Sequence, residues 1–301
     1  MYPYQQQFSC TKLSANATHK PMKKFGLIGH PITHSLSPAL FNAAFGGEFT
    51  YDLIEEEDFE KAFERFINEY DAINVTAPFK ELAFRKADNE KQCEAIGAAN
   101  ILRKDECDHF VTAYNSDIEG VTGAFKEAGA DAWTDGKNAL VVGCGGAAMA
   151  AIFAVWCELG YDTVIINRNL EKAQKFAEKL NGTNLCARQL SADGMDSFEK
   201  HFLEADIIVY TLPLAVPALL NLSRKAIRGG GIFKRRQRKF ILEANYKDPA
   251  LTDEMMNRMS RINPDIKFIS GKEWLLHQAI GAYKHFGLNN PDIEAMRKVI
   301  Q

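Results

Sequence analysis

The chain has 301 residues, of which 46% are hydrophobic and 25% charged, with a formal net charge of −3. That length allows two domains, each with its own core. The slight negative balance gives no basis for binding nucleic acid or an anionic membrane surface. No apolar run approaches the ~20 residues of a transmembrane helix. Residues 1–21 are polar and lack the apolar stretch of a secretory signal, so they read as a disordered arm or an extended start. The six cysteines, Cys10, Cys93, Cys107, Cys144, Cys157 and Cys186, are scattered without the paired spacing of zinc or redox motifs. Free thiols and a cytoplasmic location are the expectation.

Phe25 to Ile28 predicts a strand that stops at Gly29. The loop His30-Pro31-Ile32-Thr33-His34-Ser35-Leu36-Ser37-Pro38 follows, stiffened by its two prolines. Ser35 and Ser37 alternate, so both hydroxyls face one side. Pro38 suits the first turn of a helix through Phe45. Phe49 to Ile54 reads as a second strand, and Phe59, Phe63, Phe66 and Ile67 recur at helical spacing as core residues. Ala72 to Val75 is a third strand, running into Thr76-Ala77-Pro78-Phe79-Lys80. Lys80 opens the next helix, where a cation has the wrong sign for the helix dipole. Asn100 to Leu102 leads into a strand paired with Phe110 to Tyr114 across a turn at 105–108. Asn115-Ser116-Asp117 then starts a helix to about Ala128. Polar residues thus gather at strand ends, where open α/β sheets bind ligands.

Ala139 to Val142 is a short buried strand broken by Gly143-Cys144-Gly145-Gly146, after which Ala147 to Ala151 opens a helix. Glycine lets the backbone approach a pyrophosphate held by the N–H groups of a helix N-terminus. The third glycine of the G-x-G-x-x-G pattern is Ala148 here, and the signal gains weight from its strand–turn–helix context. Cys144 reads as small filler rather than a nucleophile. The next strand, Thr163 to Ile166, ends in Asn167-Arg168 and offers no carboxylate before Glu171. An NAD site wants an acid there for the ribose 2′-hydroxyl, whereas an arginine fork pairs with a 2′-phosphate. The cofactor expected is therefore NADP.

The remaining chain predicts a helix over 170–180, strands over 185–190 and 206–210, and a helix over 217–227. The basic run Lys234-Arg235-Arg236-Gln237-Arg238-Lys239 reads as a solvated loop. A strand over 240–244, a short strand over 267–269, a helix carrying Trp274, Leu275, Gln278 and Ala279, and a final helix from Pro291 complete the pattern.

The serine loop from Gly29 to Pro38, Asn74 to Lys80, Gly97 to Asn100, Asn115 to Gly120, Gly143 to Ala148 and Asn167-Arg168 together resemble shikimate dehydrogenase, in order and at similar spacing. The resemblance runs from Met22 to the C-terminus. It implies an α/β fold with two domains, an N-terminal substrate domain (22–117 plus 270–301) and a Rossmann-type NADP-binding domain (118–269). It implies reversible NADPH-dependent reduction of 3-dehydroshikimate to shikimate, in aromatic amino-acid (chorismate) biosynthesis. Lys80 and Asp117 would be the catalytic pair, and Ser35, Ser37, Thr76, Asn100, Tyr246 and Gln278 the substrate contacts. Gly143, Gly145, Gly146, Ala147, Asn167, Arg168 and Leu212 would bind the cofactor. No metal is called for, and a monomer or homodimer is expected. Tyr114 departs from the family's glycine, Ile101 and Ser116 replace threonines, Tyr210 to Ala215 is off the usual loop, and proline follows Tyr246 one position late. The rival readings are a quinate/shikimate dehydrogenase using NAD, a non-catalytic NADP-binding sensor, and a partner-binding role for the basic run.

Overall fold

The computed structural model describes residues 23–105, 110–130, 137–229 and 237–301. Residues 1–22, most of the 105–108 turn, and Lys234, Arg235 and Arg236 lie outside the described residues. The first half of the chain alternates β1 (Lys24–Gly29), α1 (Ser37–Phe45), β2 (Thr50–Glu55), α2 (Phe59–Glu69), β3 (Ala72–Val75) and α3 (Lys80–Lys86). It continues through β4 (Asp88–Asn89), α4 (Lys91–Ile96), β5 (Ile101–Lys104), β6 (Val111–Tyr114) and α5 (Asp117–Ala128). Its strands form one six-stranded sheet in the order β2-β1-β3-β5-β6-β4. β5 and β6 form the expected antiparallel hairpin, while β1 runs parallel to both β2 and β3.

The second half holds β7 (Asn138–Val142), α6 (Gly146–Phe153) with a π-helical continuation (Ala154–Glu158), β8 (Asp162–Ile166), α7 (Leu170–Asn181) and β9 (Leu190–Asp193). Then come α8 (Phe198–Glu204), β10 (Ile207–Tyr210), α9 (Pro217–Leu220), α10 (Arg224–Arg228) and β11 (Lys239–Glu243). α11 (Asp253–Ile262), β12 (Ile266–Ile269), α12 (Gly271–His285) and α13 (Ile293–Ile300) close the chain. Its sheet is wholly parallel, in the order β12-β11-β10-β7-β8-β9. This is the doubly wound arrangement of a Rossmann-type fold, with its switch point between β7 and β10. A parallel sheet is covered on both faces, and the alternation within each strand divides the core accordingly. Val141, Ile165, Val209 and Leu242 pack under α5, α6 and α7. Leu140, Val142, Ile208 and Ile241 pack under α8 to α11.

Three expectations are corrected. The strand set at 185–190 begins only at Leu190, because β8 offers its first partner, Thr163, opposite that residue. Residues 182–189 form a turn instead, with Asn184 at φ +55° and Leu185 exposed. The helix set at 217–227 is two short helices. Ser223 adopts an extended backbone, and its Oγ accepts from Ala226 N–H at 3.2 Å, capping a new helix where the periodicity alone reads through. The end of the basic run is not solvated: Lys239 is wholly buried. Its Nζ donates to the carbonyls of Phe202 (2.8 Å), Leu203 (3.0 Å) and Ala205 (2.6 Å) at the C-terminus of α8. Those carbonyls have no partner inside their own helix, and the helix dipole favours a cation there.

Helices α5 and α12 lie side by side and join the two sheets. The approach is close enough that a Cβ on Gly120 would overlap the Trp274 ring, and one on Gly123 would overlap the His277 ring. Where they meet α13, Arg297 pairs with Glu273 (3.0 Å) and with Glu127.

Candidate active site

The site is built from strand ends. After β1, the serine loop turns back with Ser35 N–H bonded to Ile32 O, and Ser37 Oγ lies 3.1 Å from Ser35 Oγ. Ser37 N–H also donates to Ser35 Oγ at 3.2 Å, so the two hydroxyls do share one side. Neither serine caps α1, whose N-cap is Leu36 with no side-chain bond. After β3, Thr76 accepts from Phe79 N–H through its carbonyl in a tight turn that delivers Lys80 to the start of α3. The His30–Pro31 and Ala77–Pro78 peptides on these two loops are cis.

A cavity of about 400 Å³ opens between the serine loop, the end of β3 and helix α12. Ser35, Ser37, Thr76, Tyr246 and Gln278 all line it. Asn100 does not. It is wholly buried, and its side chain is committed to Ser116, accepting from Ser116 N–H at 2.8 Å and donating to Ser116 Oγ at 3.2 Å. These bonds place Asn100 beneath the site, where it fixes the turn that presents Asp117. Tyr51 and Asn74 line the cavity and were not among the expected contacts. The Tyr51 hydroxyl donates to Asn74 Oδ1 at 2.9 Å, and burial pushes its ionisation well above the usual tyrosine range. The signal for Asn74 was an amide inside the otherwise apolar strand Ala72-Ile73-Asn74-Val75.

Lys80 and Asp117, 37 residues apart, meet with Nζ 2.5 Å from Oδ2. Their side chains are 24% and 8% exposed, so the pair is largely shielded from water on the carboxylate side. Asp117 is the first residue of α5, and its N–H donates to Asn115 Oδ1 at 3.1 Å. The N-terminus of α5 favours that negative charge, and the charge in turn offsets the unfavourable position of Lys80 on α3. Neither residue lines the cavity itself, whose nearest member in the chain is Thr76. An amine held beside a carboxylate can stabilise a developing alkoxide and exchange a proton with it.

The second sheet supplies a cradle for a dinucleotide. Gly143 has φ +115°, and a Cβ there would overlap Thr211 Oγ1, so only glycine fits the turn. At Gly145 and Gly146 a Cβ would meet no atom within 4 Å, so the surface in front of them is open. Helix α6 starts there with no side-chain cap and no acidic residue in its first turn. Its first N–H groups therefore face outward as anion donors. Cys144, in this turn, is buried, and burial raises its thiol, which fits filler and not a nucleophile. At the end of β8, Arg168 is exposed and makes no hydrogen bond or ion pair among the described residues. Asn167 Nδ2 donates to Asn169 O at 2.9 Å. The nearest carboxylate in sequence, Glu171, is taken by Lys175 at 2.6 Å. The off-pattern loop after β10 is nonetheless well held. Tyr210 Oη donates to Leu214 O at 2.7 Å and accepts from Val216 N–H at 3.2 Å, while Thr211 Oγ1 donates to Val142 O at 2.7 Å. Leu212 is thereby fixed next to the glycine turn.

Fold and site together define a class: a nucleotide-dependent α/β oxidoreductase, with a small polar cavity on one sheet and a Rossmann-type cradle on the other. The family profile for the shikimate dehydrogenase substrate binding domain matches residues 27–102, and that for shikimate / quinate 5-dehydrogenase matches residues 127–219. The chain is 34% identical over 201 residues to the shikimate dehydrogenase (NADP(+)) of Methanopyrus kandleri, covering 64% of this chain and 67% of that protein. It is 29% identical over 284 residues to the enzyme of the same name from Methanothermobacter thermautotrophicus, covering 92% and 95%. The solved shikimate 5-dehydrogenase of Thermus thermophilus in complex with shikimate superposes with a TM-score of 0.72 at 25% identity, covering 93% of this chain and 98% of that one. The chain belongs to the shikimate dehydrogenase family.

Proposed function

We propose that this protein catalyses the reversible, NADP(H)-dependent interconversion of 3-dehydroshikimate and shikimate, an oxidoreductase step in aromatic amino-acid biosynthesis. The observation that carries the reading is the meeting of Lys80 with Asp117, delivered by the turn after β3 whose Thr76 lines, with two serines, a tyrosine and a glutamine, a cavity that neither charged residue itself lines. Family membership and relatives named for NADP(+) support it. Residues 22–117 with 270–301 serve as the substrate unit and 118–269 as the nucleotide unit. The two matched family profiles and the two sheets support this division.

In this mechanism Ser35 and Ser37 donate hydrogen bonds to the substrate carboxylate. Thr76, Tyr246 and Gln278 hold ring hydroxyls, with Asn100 supporting the Asp117 turn from below. When bound, the nicotinamide supplies or takes up the hydride equivalent. Lys80 Nζ faces the substrate oxygen and carries the proton that must reach it in reduction, and Asp117 holds the amine in place. The outward N–H groups of Gly145, Gly146 and Ala147 bind the pyrophosphate, and Arg168 and Asn167 bind the 2′-phosphate. The substrate is a small molecule and the location cytoplasmic, in keeping with free thiols at Cys93, Cys144, Cys157 and Cys186. Among the described residues no helix is long and apolar enough to cross a membrane.

The test is direct: purified protein with shikimate and NADP⁺ should generate reduced-nicotinamide absorbance, far more slowly with quinate or with NAD⁺. No turnover of shikimate would overturn the reading. Faster turnover of quinate with NAD⁺ would favour the rival dehydrogenase.

A further inference from the structure

Cys157 and Cys186, 29 positions apart, face each other at the edge of the second sheet remote from the cradle. Cys157 lies in the π-helical segment that continues α6, and Cys186 lies in the turn between α7 and β9. α6 and its continuation run for about 12 residues from the glycine turn to Cys157, on the order of 18 Å. The contacts are reciprocal. Cys157 Sγ donates to Leu185 O at 3.7 Å, and Cys186 Sγ donates to Trp156 O at 3.2 Å. Each thiol thus reaches the carbonyl of the residue just before the other cysteine. The Trp156 indole N–H donates to Arg188 O at 2.8 Å and pins the turn in this position. Both cysteines are partly exposed, whereas Cys93 and Cys144 are buried. Neither thiol has a part in the proposed reaction.

We propose that Cys157 and Cys186 form a thiol–disulfide exchange site that takes a small disulfide, of the glutathione type, as its oxidant. Arg188 N–H donates to Cys186 Sγ at 3.4 Å, and Cys186, in the turn, makes the first attack. Its sulfur bonds to one sulfur of the small disulfide, and the other leaves as a thiol. Cys157 is the resolving residue. Burial, then its neighbour Cys186, pushes its thiol up to about 11, which makes it a poor first nucleophile in solution. Held beside the mixed disulfide, it gives up its proton, attacks Cys186 Sγ and expels the second small thiol. The balance is two protein thiols and one small disulfide giving one protein disulfide and two small thiols, with two electrons passing to the small disulfide. The ring so closed contains β8, Asn167, Arg168 and α7, so oxidation staples the segment that carries the proposed 2′-phosphate contacts. The proposal does not depend on the reaction assigned above.

The experiment equilibrates the full chain with mixtures of oxidised and reduced glutathione, alkylates the remaining thiols, and maps the peptides by mass spectrometry. A Cys157–Cys186 peptide pair, with two fewer alkylated thiols, is expected as the mixture becomes oxidising. The oxidised protein should unfold several degrees higher than the reduced one, and dithiothreitol should reverse both changes. C157S should trap one glutathione on Cys186. Full alkylation of both cysteines after oxidation, or a bridge from either to a different cysteine, would overturn the proposal. Mapping the native chain decides the matter even where a variant fails to fold.

Discussion

Lys80 is an amine where the local helix prefers an anion, and Asp117, packed against it, resolves the conflict. Replacing Lys80 by alanine should lower turnover of shikimate by about 10²–10⁴-fold, the scale of a lost acid–base group. Affinity for NADPH, measured by fluorescence titration, should change little. A comparable loss of both would reduce Lys80 to a structural cation. Arg168, exposed and without a partner among the described residues, makes a separate prediction. R168A should weaken NADPH by roughly tenfold or more, the scale of a charge-assisted bond to phosphate, and leave NADH nearly unchanged. Equal weakening of the two would contradict the 2′-phosphate role.

Between elements, the decisive contacts are those that let backbones come close. α5 carries Asp117 and α12 carries Gln278, so the packing of the two helices fixes Asp117 relative to the cavity wall. Gly123 leaves room for the His277 ring, and G123A should cost about 1–3 kcal/mol in denaturant unfolding through overpacking. It should also raise the KM for shikimate, because α12 must shift to make room. Lys239 acts between β11 and α8. Burial pushes its ammonium down to about 7, while the three carbonyls that accept from it favour the charge. K239M keeps the volume and leaves those carbonyls without a donor. It should destabilise the fold by about 3–5 kcal/mol, with the KM values of the remaining folded enzyme unchanged.

For the whole molecule, one buried acid sets a slope of stability against pH. Glu243 ends β11, and burial pushes its carboxyl up to about 7 although Leu251 N–H donates to Oε2 at 3.2 Å. Its Oε1 is buried without a hydrogen-bond partner among the described residues. The folded value lies above the ordinary 4.5, so the folded state keeps a proton that the unfolded chain releases. This contribution is full below about 4.5, declines as pH rises to about 7, and is absent above that. At most it is worth about 3 kcal/mol. Asp193 has the opposite sign: its hydrogen bond with His201, then Gly194 N–H, lowers its carboxyl, and that contribution is lost only in stronger acid. Urea midpoints should therefore fall between about pH 5 and 7 in the native chain, and less steeply in E243Q.

The α/β class, the glycine turn and the Asn167-Arg168 end of β8 were legible in the sequence, and the meeting of Lys80 with Asp117 was expected from the resemblance. The first three rest on short-range chemistry: an apolar run, a turn that only glycine allows, an arginine at a strand end. β3 at Ala72–Val75 matches its predicted bounds for that reason. The sequence also grouped the serines with Thr76, Tyr246 and Gln278 by resemblance, and these five share one cavity. What it could not supply depends on partners distant in the chain. Leu185 reads as strand until β8 proves to offer no neighbour before Leu190. Lys239 reads as solvated until the end of α8 surrounds it, and Asn100 reads as a substrate contact until Ser116 claims its amide. Cys157 and Cys186 read as unrelated until the π-helical segment and the turn bring them together. Local pattern determined which elements form. Tertiary packing alone decided which polar groups face a ligand and which are used up holding the backbone, because a buried donor or acceptor must find its partner wherever the fold places one.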